Sequence, residues 1–447
     1  MAEFSQAGRA RRLGAASLGL LLLFAPRLAA REGPLTLDKA VALALERNER
    51  SLAAEQDVVA AAARVAQAKS FFLPSLTSTG TYSRRPFERT IMVGGNEVVI
   101  QRLNGLSEAF QLNLTLFDVR SLTGLAAVKA QRNAEADRAA ESRRQLAFEV
   151  SQAFLATLGT SQVREASARR FAFAGQNLEA AKARFAAGLA SVNDVTRAEL
   201  EYAKAEVGLT RVEGEVETSA LQLGYLLDAP DDARGPLAVP EFLIEAASAE
   251  AADAEALIEE ALARRLDIGS LRWAAASQRA LARVPLLGFV PSLSASGRYT
   301  ITNEAGFSGK NWNWNAGATL TWSLFDGGAR FGQSRERRAL AKLADLDLQA
   351  AMRRVDVQVR QALVSLDNQR ASLKQATVAH EVAQKNAAET AELYRQGLAS
   401  ALEVADANVS LFEAEVGLVR ERYGLGIAFL NLEAALGLDP FGKEPLK

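Results

Sequence analysis

The chain has 447 residues, of which 49% are hydrophobic and 23% charged, and its formal net charge is −1. This balance favours a large folded protein and excludes a polybasic nucleic-acid-binding arm, so no nucleic-acid partner is expected. The absence of cysteine excludes disulfides, thiolate metal sites and an acylated N-terminal cysteine, and the one histidine, His380, lies on a polar helical stretch typical of a surface residue.

The first 30 residues are predicted to form a secretory signal peptide. Three arginines between positions 9 and 12 precede an apolar run at 13–24, and Ala29 and Ala30 offer a cleavage site. The run is shorter than the roughly 20 apolar residues that a membrane-spanning helix needs, and no later stretch reaches that length. The exported chain is therefore either soluble or inserted in a membrane by elements other than helices.

The rest of the sequence contains one unit twice. The segment FLPSLTSTGTY, which ends at Tyr82, matches FVPSLSASGRY, which ends at Tyr299. The tetrapeptide Gly-Leu-Ala-Ser at 188–191 recurs at 397–400, 209 residues later. Matched motifs keep nearly constant offsets, except that the segment after the first pair is nine residues longer in the first unit, as expected of a loop. The chain is predicted to be a tandem duplication.

Each unit is predicted to contain a helix, a strand hairpin, a long helix, a tight tip and a further helix. The first unit (31–230) has helices at 37–70, 119–187 and 192–227, a hairpin at 72–117 and a tip at 188–191. The second (253–437) has helices at 254–284, 328–396 and 401–436, a hairpin at 289–325 and a tip at 397–400. At 1.5 Å per residue the long helix spans roughly 100 Å and its two flanking helices roughly 50 Å and 55 Å. The two shorter helices stacked end to end would therefore match the long helix in length.

The predicted strands alternate between apolar and polar residues. From Trp312 to Leu324 the even positions are Trp, Ala or Leu and the odd positions are Asn, Gly, Thr or Ser. This alternation is typical of a transmembrane β-barrel around a wet lumen, and a half-buried soluble sheet is the alternative. Four strands cannot close a barrel, since the smallest have about eight, and open edges are not tolerated in lipid. Two chains would supply eight strands and three chains twelve, of which only the larger encloses an appreciable lumen.

The sequence resembles the TolC family of outer-membrane efflux proteins. The matching segments are the doubled PSL strand starts at Pro74 and Pro291, LTWSLFDGGAR at 320–330, YRQGLASALEVADA at 394–407 and LNLEAALG at 430–437. The resemblance covers nearly the whole mature chain. It implies an α+β membrane protein, a homotrimer whose 12-stranded β-barrel contacts outer-membrane lipid and continues into a long periplasmic α-helical coiled-coil barrel. The linker at 231–252 and the tail at 438–447 are then expected to form an irregular belt around this helical barrel.

The resemblance also implies that the two tips dock a periplasmic adaptor protein. The predicted docking residues are Gly188, Leu189, Ala190, Ser191, Gly397, Leu398, Ala399 and Ser400. The local chemistry fits a helix reversal, because a glycine in the αL conformation ends one helix and a serine caps the next. Asp194 and Glu403, three residues after the serines, would complete capping boxes, and this structural role is an alternative to a functional one.

Two further sets of side chains are assigned by the same resemblance. Glu403 and Asp406 match an acidic pair that rings the constricted periplasmic entrance, although a solvated helix face would also explain them. Tyr394 matches a tyrosine that links neighbouring coiled coils in the closed channel, and Asp194 matches its acceptor. The family's arginine two residues after the glycine is absent, because Ala399 stands there. We therefore expect fewer links to hold this channel shut.

The predicted function is a passive outer-membrane exit duct that works with a periplasmic adaptor and an inner-membrane transporter, extending from the outer membrane into the periplasm. No catalytic constellation or phosphate-binding loop is visible, so no enzymatic activity, cofactor or metal is expected. A periplasmic structural coiled coil that never inserts in a membrane is the alternative. Drugs, metal ions, oligosaccharides and secreted proteins all remain possible substrates.

Overall fold

The computed structural model describes residues 33–248, 253–304 and 309–444. The predicted signal peptide lies outside these residues. The helices are α1 (Leu37–Arg47), α2 (Glu49–Ser70), α3 (Val119–Ala186), α4 (Val192–Leu227), α5 (Pro230–Ala233), α6 (Glu241–Ser248), α7 (Ala254–Arg264), α8 (Leu266–Leu287), α9 (Ala329–Arg395) and α10 (Ala401–Leu436). The strands are β1 (Ser75–Arg84), β2 (Arg89–Val93), β3 (Asn96–Gln101), β4 (Asn104–Phe117), β5 (Ser292–Thr302) and β6 (Trp312–Thr321).

The four long strands form one antiparallel sheet in the order β1–β4–β5–β6. The hairpin of the first repeat therefore pairs with the hairpin of the second through β4 and β5. Both outer strands, β1 and β6, are left as edges of the sheet. The two repeats thus contribute equally to a single sheet, and the α+β class and the repeated architecture predicted from the sequence are confirmed.

The other long and short helices of each repeat pack against its longest helix, α3 in the first repeat and α9 in the second. In the first repeat α3 contacts α1, α2 and α4. In the second repeat α9 contacts α7, α8 and α10. The repeats are joined because α3 also packs against α8 and α10.

Two hydrophobic clusters stabilise the middle of the helical region. The first is centred on the middle of α3 and the end of α4, and the second on the middle of α9 and the end of α10. Each large side chain that is fully buried contributes about 1.5–3 kcal/mol relative to an exposed one. The fully buried members include Leu146, Phe154, Leu223, Leu227, Ile268, Leu366, Leu425 and Leu430. The core therefore lies far from both the sheet and the tips.

The first helix of each repeat is interrupted, so the single helices predicted at 37–70 and 254–284 are wrong. In the first repeat Asn48 is extended (ψ 134°), and its side chain accepts a hydrogen bond from the Arg50 N–H and donates one to the Leu226 carbonyl. In the second repeat Arg265 departs from the helical conformation (ψ 126°), and its guanidinium donates to the Ala435 carbonyl. Both breaks occur where a polar side chain leaves the helix to bind the end of the last helix of its own repeat.

Two further elements were not predicted. The nine extra residues of the first repeat belong to a separate hairpin, β2–β3, in the segment expected to be a loop. The linker contains the short helices α5 and α6, and Phe242 of α6 stacks on Phe441 of the tail with ring centroids 6.1 Å apart. The linker and the tail therefore meet, and the belt that they were expected to form stays a prediction.

Candidate functional site

The two helical tips have the same backbone geometry. Gly188 and Gly397 adopt the left-handed conformation with φ of 75° and 76°. In both tips the N–H of this glycine and the N–H of the following leucine donate to carbonyls of the last helical turn, which is the Schellman pattern of helix termination. Side chains other than glycine are strained at this φ, so the repeated glycine is needed for the reversal.

The tip residues are presented to solvent. Leu189 and Leu398 are 79% and 73% exposed. Ala190 and Ala399 are half-buried beneath them, and the two glycines and two serines are exposed. Each tip therefore presents one protruding leucine on a glycine-dependent turn.

Both predicted capping boxes are present. The Asp194 N–H donates to Ser191 Oγ at 3.2 Å, and the Asp194 carboxylate accepts from the Ser191 N–H at 2.9 Å. Ser400 and Glu403 repeat this arrangement, with corresponding distances of 3.2 and 2.6 Å. The backbone N–H of the serine in each box is the main cause that lowers the pKa of Asp194 and of Glu403 below their ordinary values. Both acids are therefore held as carboxylates at neutral pH.

A groove of about 410 Å³ lies beside the tips and brings the two repeats together. Its walls come from α3 and α4 of the first repeat and from α9 and α10 of the second. Among the predicted site residues it is lined by Asp194, Tyr394, Ser400 and Asp406. Corresponding residues of the two repeats, such as Arg197 and Asp406, thus meet around one surface.

Tyr394 has a partner that sequence reasoning missed. The guanidinium of Arg184, in the last turn of α3, lies over the Tyr394 ring at 4.2 Å from its centroid, a cation–π contact. Within the described part of the chain no hydrogen bond joins the Tyr394 hydroxyl to Asp194, whose carboxylate binds Ser191 instead. The link between Tyr394 and Asp194 stays a prediction, one that concerns neighbouring coiled coils.

The predicted acidic pair is divided between two environments. Glu403 is occupied in its capping box, whereas Asp406 is exposed on the groove. Arg197 stands at the position of the first repeat that corresponds to Asp406 and lines the same groove. Comparing the two repeats position by position would have revealed this arginine. The carboxylates near the tips are therefore accompanied by the positive charge of Arg197, which the resemblance did not predict.

The sheet has one apolar and one polar face. Directly paired residues share a face, so Ser78, Phe110, Tyr299 and Trp314 form one row on the apolar side. This face is exposed in the chain, with Trp314, Leu320 and Trp322 60–66% accessible. An exposed apolar band of this extent, flanked by aromatic side chains, is typical of contact with lipid.

Two kinds of feature are absent from the described residues. None of the described helices is long and apolar enough to cross a membrane. Among the same residues, no group of three or more histidine, aspartate or glutamate side chains could hold a metal ion.

Comparison with known proteins identifies the family to which the chain belongs. The model of the outer membrane efflux protein family matches residues 40–228 and 257–438. The outer membrane protein TolC of Vibrio cholerae is 25% identical over 87% of this chain and 86% of its own length. Nodulation protein T of Rhizobium leguminosarum is 24% identical over 62% of each chain.

Solved structures agree on the fold. The outer membrane protein VceC of Vibrio cholerae superposes with a TM-score of 0.74 at 18% identity, covering 91% of this chain and 96% of its own. The CmeC outer membrane channel of Campylobacter jejuni superposes with a TM-score of 0.76 at 18% identity, covering 92% and 87%. The predicted relationship and location are confirmed: the chain is a member of the outer membrane efflux protein family, located in the bacterial outer membrane and extending into the periplasm.

Proposed function

We propose that the protein is the outer-membrane exit duct of a tripartite export assembly. Three chains would combine their four-stranded sheets into a 12-stranded barrel, and their helices would continue it as a periplasmic tunnel. A periplasmic adaptor would dock on the six tips and connect the duct to an energised inner-membrane transporter. The duct itself would conduct passively, without an enzymatic step or a cofactor.

The observation that carries this proposal is the open sheet. Among the residues that the structure describes, β1 and β6 each present an edge whose backbone groups lack a strand partner, and one face of the sheet is apolar and exposed. In lipid each unsatisfied backbone group costs several kcal/mol, so both edges must pair with strands of other chains. Three copies, each placing β6 beside β1 of the next, would satisfy every edge and leave the polar faces around a lumen.

The tips support the adaptor as the periplasmic partner. Leu189 and Leu398 protrude from rigid turns at the end of the helical region, far from the sheet. Their separation from the sheet by helices of 68 and 67 residues corresponds to roughly 100 Å of reach. A partner anchored in or near the inner membrane would meet them there.

The test is a mass measurement in detergent, together with fractionation of the membranes. We expect three chains per particle, recovered with the outer membrane and dissociated by heat. A monomer in the soluble periplasmic extract would contradict the duct and favour a structural coiled coil. Because the chain contains no cysteine, Leu189→Cys and Leu398→Cys provide single reactive sites, which we expect to crosslink to the adaptor, while a cysteine at the exposed Leu52 should not.

A further inference from the structure

The polar face of the four-stranded sheet carries a single ionisable side chain. The register places Thr77, Gln111, Arg298 and Asn315 in one row that crosses β1, β4, β5 and β6. All other residues that the four strands present on this face are Ser, Thr, Asn, Gln, Gly or Ala. Arg298 lies near the middle of β5, so its charge is placed away from both ends of the sheet.

The charge of Arg298 is not neutralised within the described part of the chain. Its side chain is exposed and takes part in none of the ion pairs and hydrogen bonds described there. Glu108 lies on the opposite, apolar face, where it accepts a hydrogen bond from Ser78. Glu304 follows the end of β5 and is bound by Arg85. No carboxylate of the four strands therefore shares the face of Arg298.

Assembly would not supply a counter-charge either. β5 lies inside the sheet, between β4 and β6, and only β1 and β6 are edges. The strand that would follow β6 across a subunit boundary is β1, whose polar face consists of serine and threonine from Ser75 to Ser83. The guanidinium would remain open to the lumen in the complete barrel.

We propose that three Arg298 side chains form a cationic ring inside the barrel that binds and favours anionic solutes carrying carboxylate or phosphate groups. The inference rests on the proposed duct, in which the polar face lines the lumen. Twelve strands spaced about 4.8 Å apart and tilted by about 40° enclose a backbone diameter of roughly 24 Å. With a Debye length of about 8 Å at physiological ionic strength, the three charges influence most of that cross-section.

The chemistry of the row fits such anions. Arginine remains charged at every physiological pH, and its planar fork binds carboxylate and phosphate through two parallel hydrogen bonds. The amides of Gln111 and Asn315, directly beside Arg298 on the neighbouring strands, provide additional donors. A polyanion passing the row would therefore meet three such sites at one height.

The experiment measures block of the purified channel in planar bilayers by sodium tripolyphosphate, added on the side of the strand loops. We expect Arg298→Gln to raise the half-blocking concentration at least tenfold and to shift the reversal potential in a KCl gradient toward cation selectivity. Arg298→Lys should retain most of the block, because the charge remains. The matched control is Arg84→Gln, which removes an exposed arginine from the other face of the sheet and should change neither quantity.

The outcomes separate this inference from the proposed duct. Normal conductance with equal block of the wild type and Arg298→Gln would overturn the cationic ring and leave the duct intact. Failure of the wild-type protein to form trimers or to conduct would overturn both. Trimer yield is measured for every variant, and restoration of block by Arg298→Lys distinguishes a loss of charge from a misfolded barrel.

Discussion

Glu433, near the end of α10, is a carboxyl group whose protonation should control stability. Its side chain is 8% exposed, and in the described structure one carboxyl oxygen has no hydrogen-bond partner. The tail begins one turn later, and its first residue, Leu438, donates its N–H to the Glu433 backbone carbonyl at 3.0 Å. Burial, reinforced by the charge of Asp439 and partly offset by that of Arg264, raises the pKa of Glu433 from 4.5 to about 7.

The sign of the effect follows from the raised pKa of Glu433. Below pH 4.5 the carboxyl is protonated in both the folded and the unfolded states and has no influence. Between pH 4.5 and about 7 only the folded state holds the proton, so the free energy of unfolding falls by about 1.4 kcal/mol per pH unit. Above that range the loss is complete, at about 3 kcal/mol. Glu433→Gln replaces the carboxyl by a neutral group of the same shape and should remove this loss.

The assay is thermal unfolding in detergent at a series of pH values from 4.5 to 8. For a chain of this length the unfolding entropy is roughly 0.9 kcal/mol per kelvin, so Glu433→Gln should raise Tm by about 3 °C at pH 8 and by almost nothing at pH 4.5. Glu413→Gln, at an exposed position of the same helix, is the control. A difference in Tm between Glu433→Gln and wild type that stays constant over the whole pH range would refute the reasoning.

Two predictions concern the tips. Replacing both Glu403 and Asp406 by alanine should abolish cation selectivity at the entrance and block by multivalent cations, since converging carboxylates concentrate cations; block equal to wild type would show that they are ordinary surface acids. Tyr394→Phe removes the hydroxyl whose predicted bond to the Asp194 carboxylate would be worth about 1.5–3 kcal/mol, and it keeps the ring over which Arg184 lies. It should raise single-channel conductance and sensitise cells to large antibiotics without lowering trimer yield. The control is Tyr202→Phe, at a tyrosine of α4 whose ring packs on Phe171, which should leave conductance unchanged. Wild-type conductance of Tyr394→Phe would count against the link.

The sequence was sufficient for the parts of the fold that follow from periodicity and duplication. The ends of α4 and α10 were predicted to the residue, because a serine cap and the change from helical pattern mark them. The interruptions at Asn48 and Arg265 were missed, because both lie within uninterrupted helical periodicity. Each is stabilised by a carbonyl that is 178 or 170 residues distant in sequence, which no local pattern can reveal.

The same distinction applies to the candidate site. The turns and capping boxes depend on neighbouring residues and were predicted from the Gly-Leu-Ala-Ser motif. The contact between Arg184 and Tyr394, and the groove that collects residues of both repeats, depend on how α3 packs beside α9 and α10. Long-range packing of this kind is set by the complete core and not by the tip sequence.

The interruptions in the first helix of each repeat also record how the duplicated unit has diverged. In one copy an asparagine amide donates to the Leu226 carbonyl near the end of the last helix, and in the other an arginine guanidinium donates to the Ala435 carbonyl at the corresponding place. The two side chains differ in length, charge and hydrogen-bonding capacity, yet each joins the beginning of its repeat to the end. Duplicated copies can therefore replace one residue by another at this position as long as the hydrogen bond to the last helix is kept. An alignment that scores residue identity alone would overlook this equivalence.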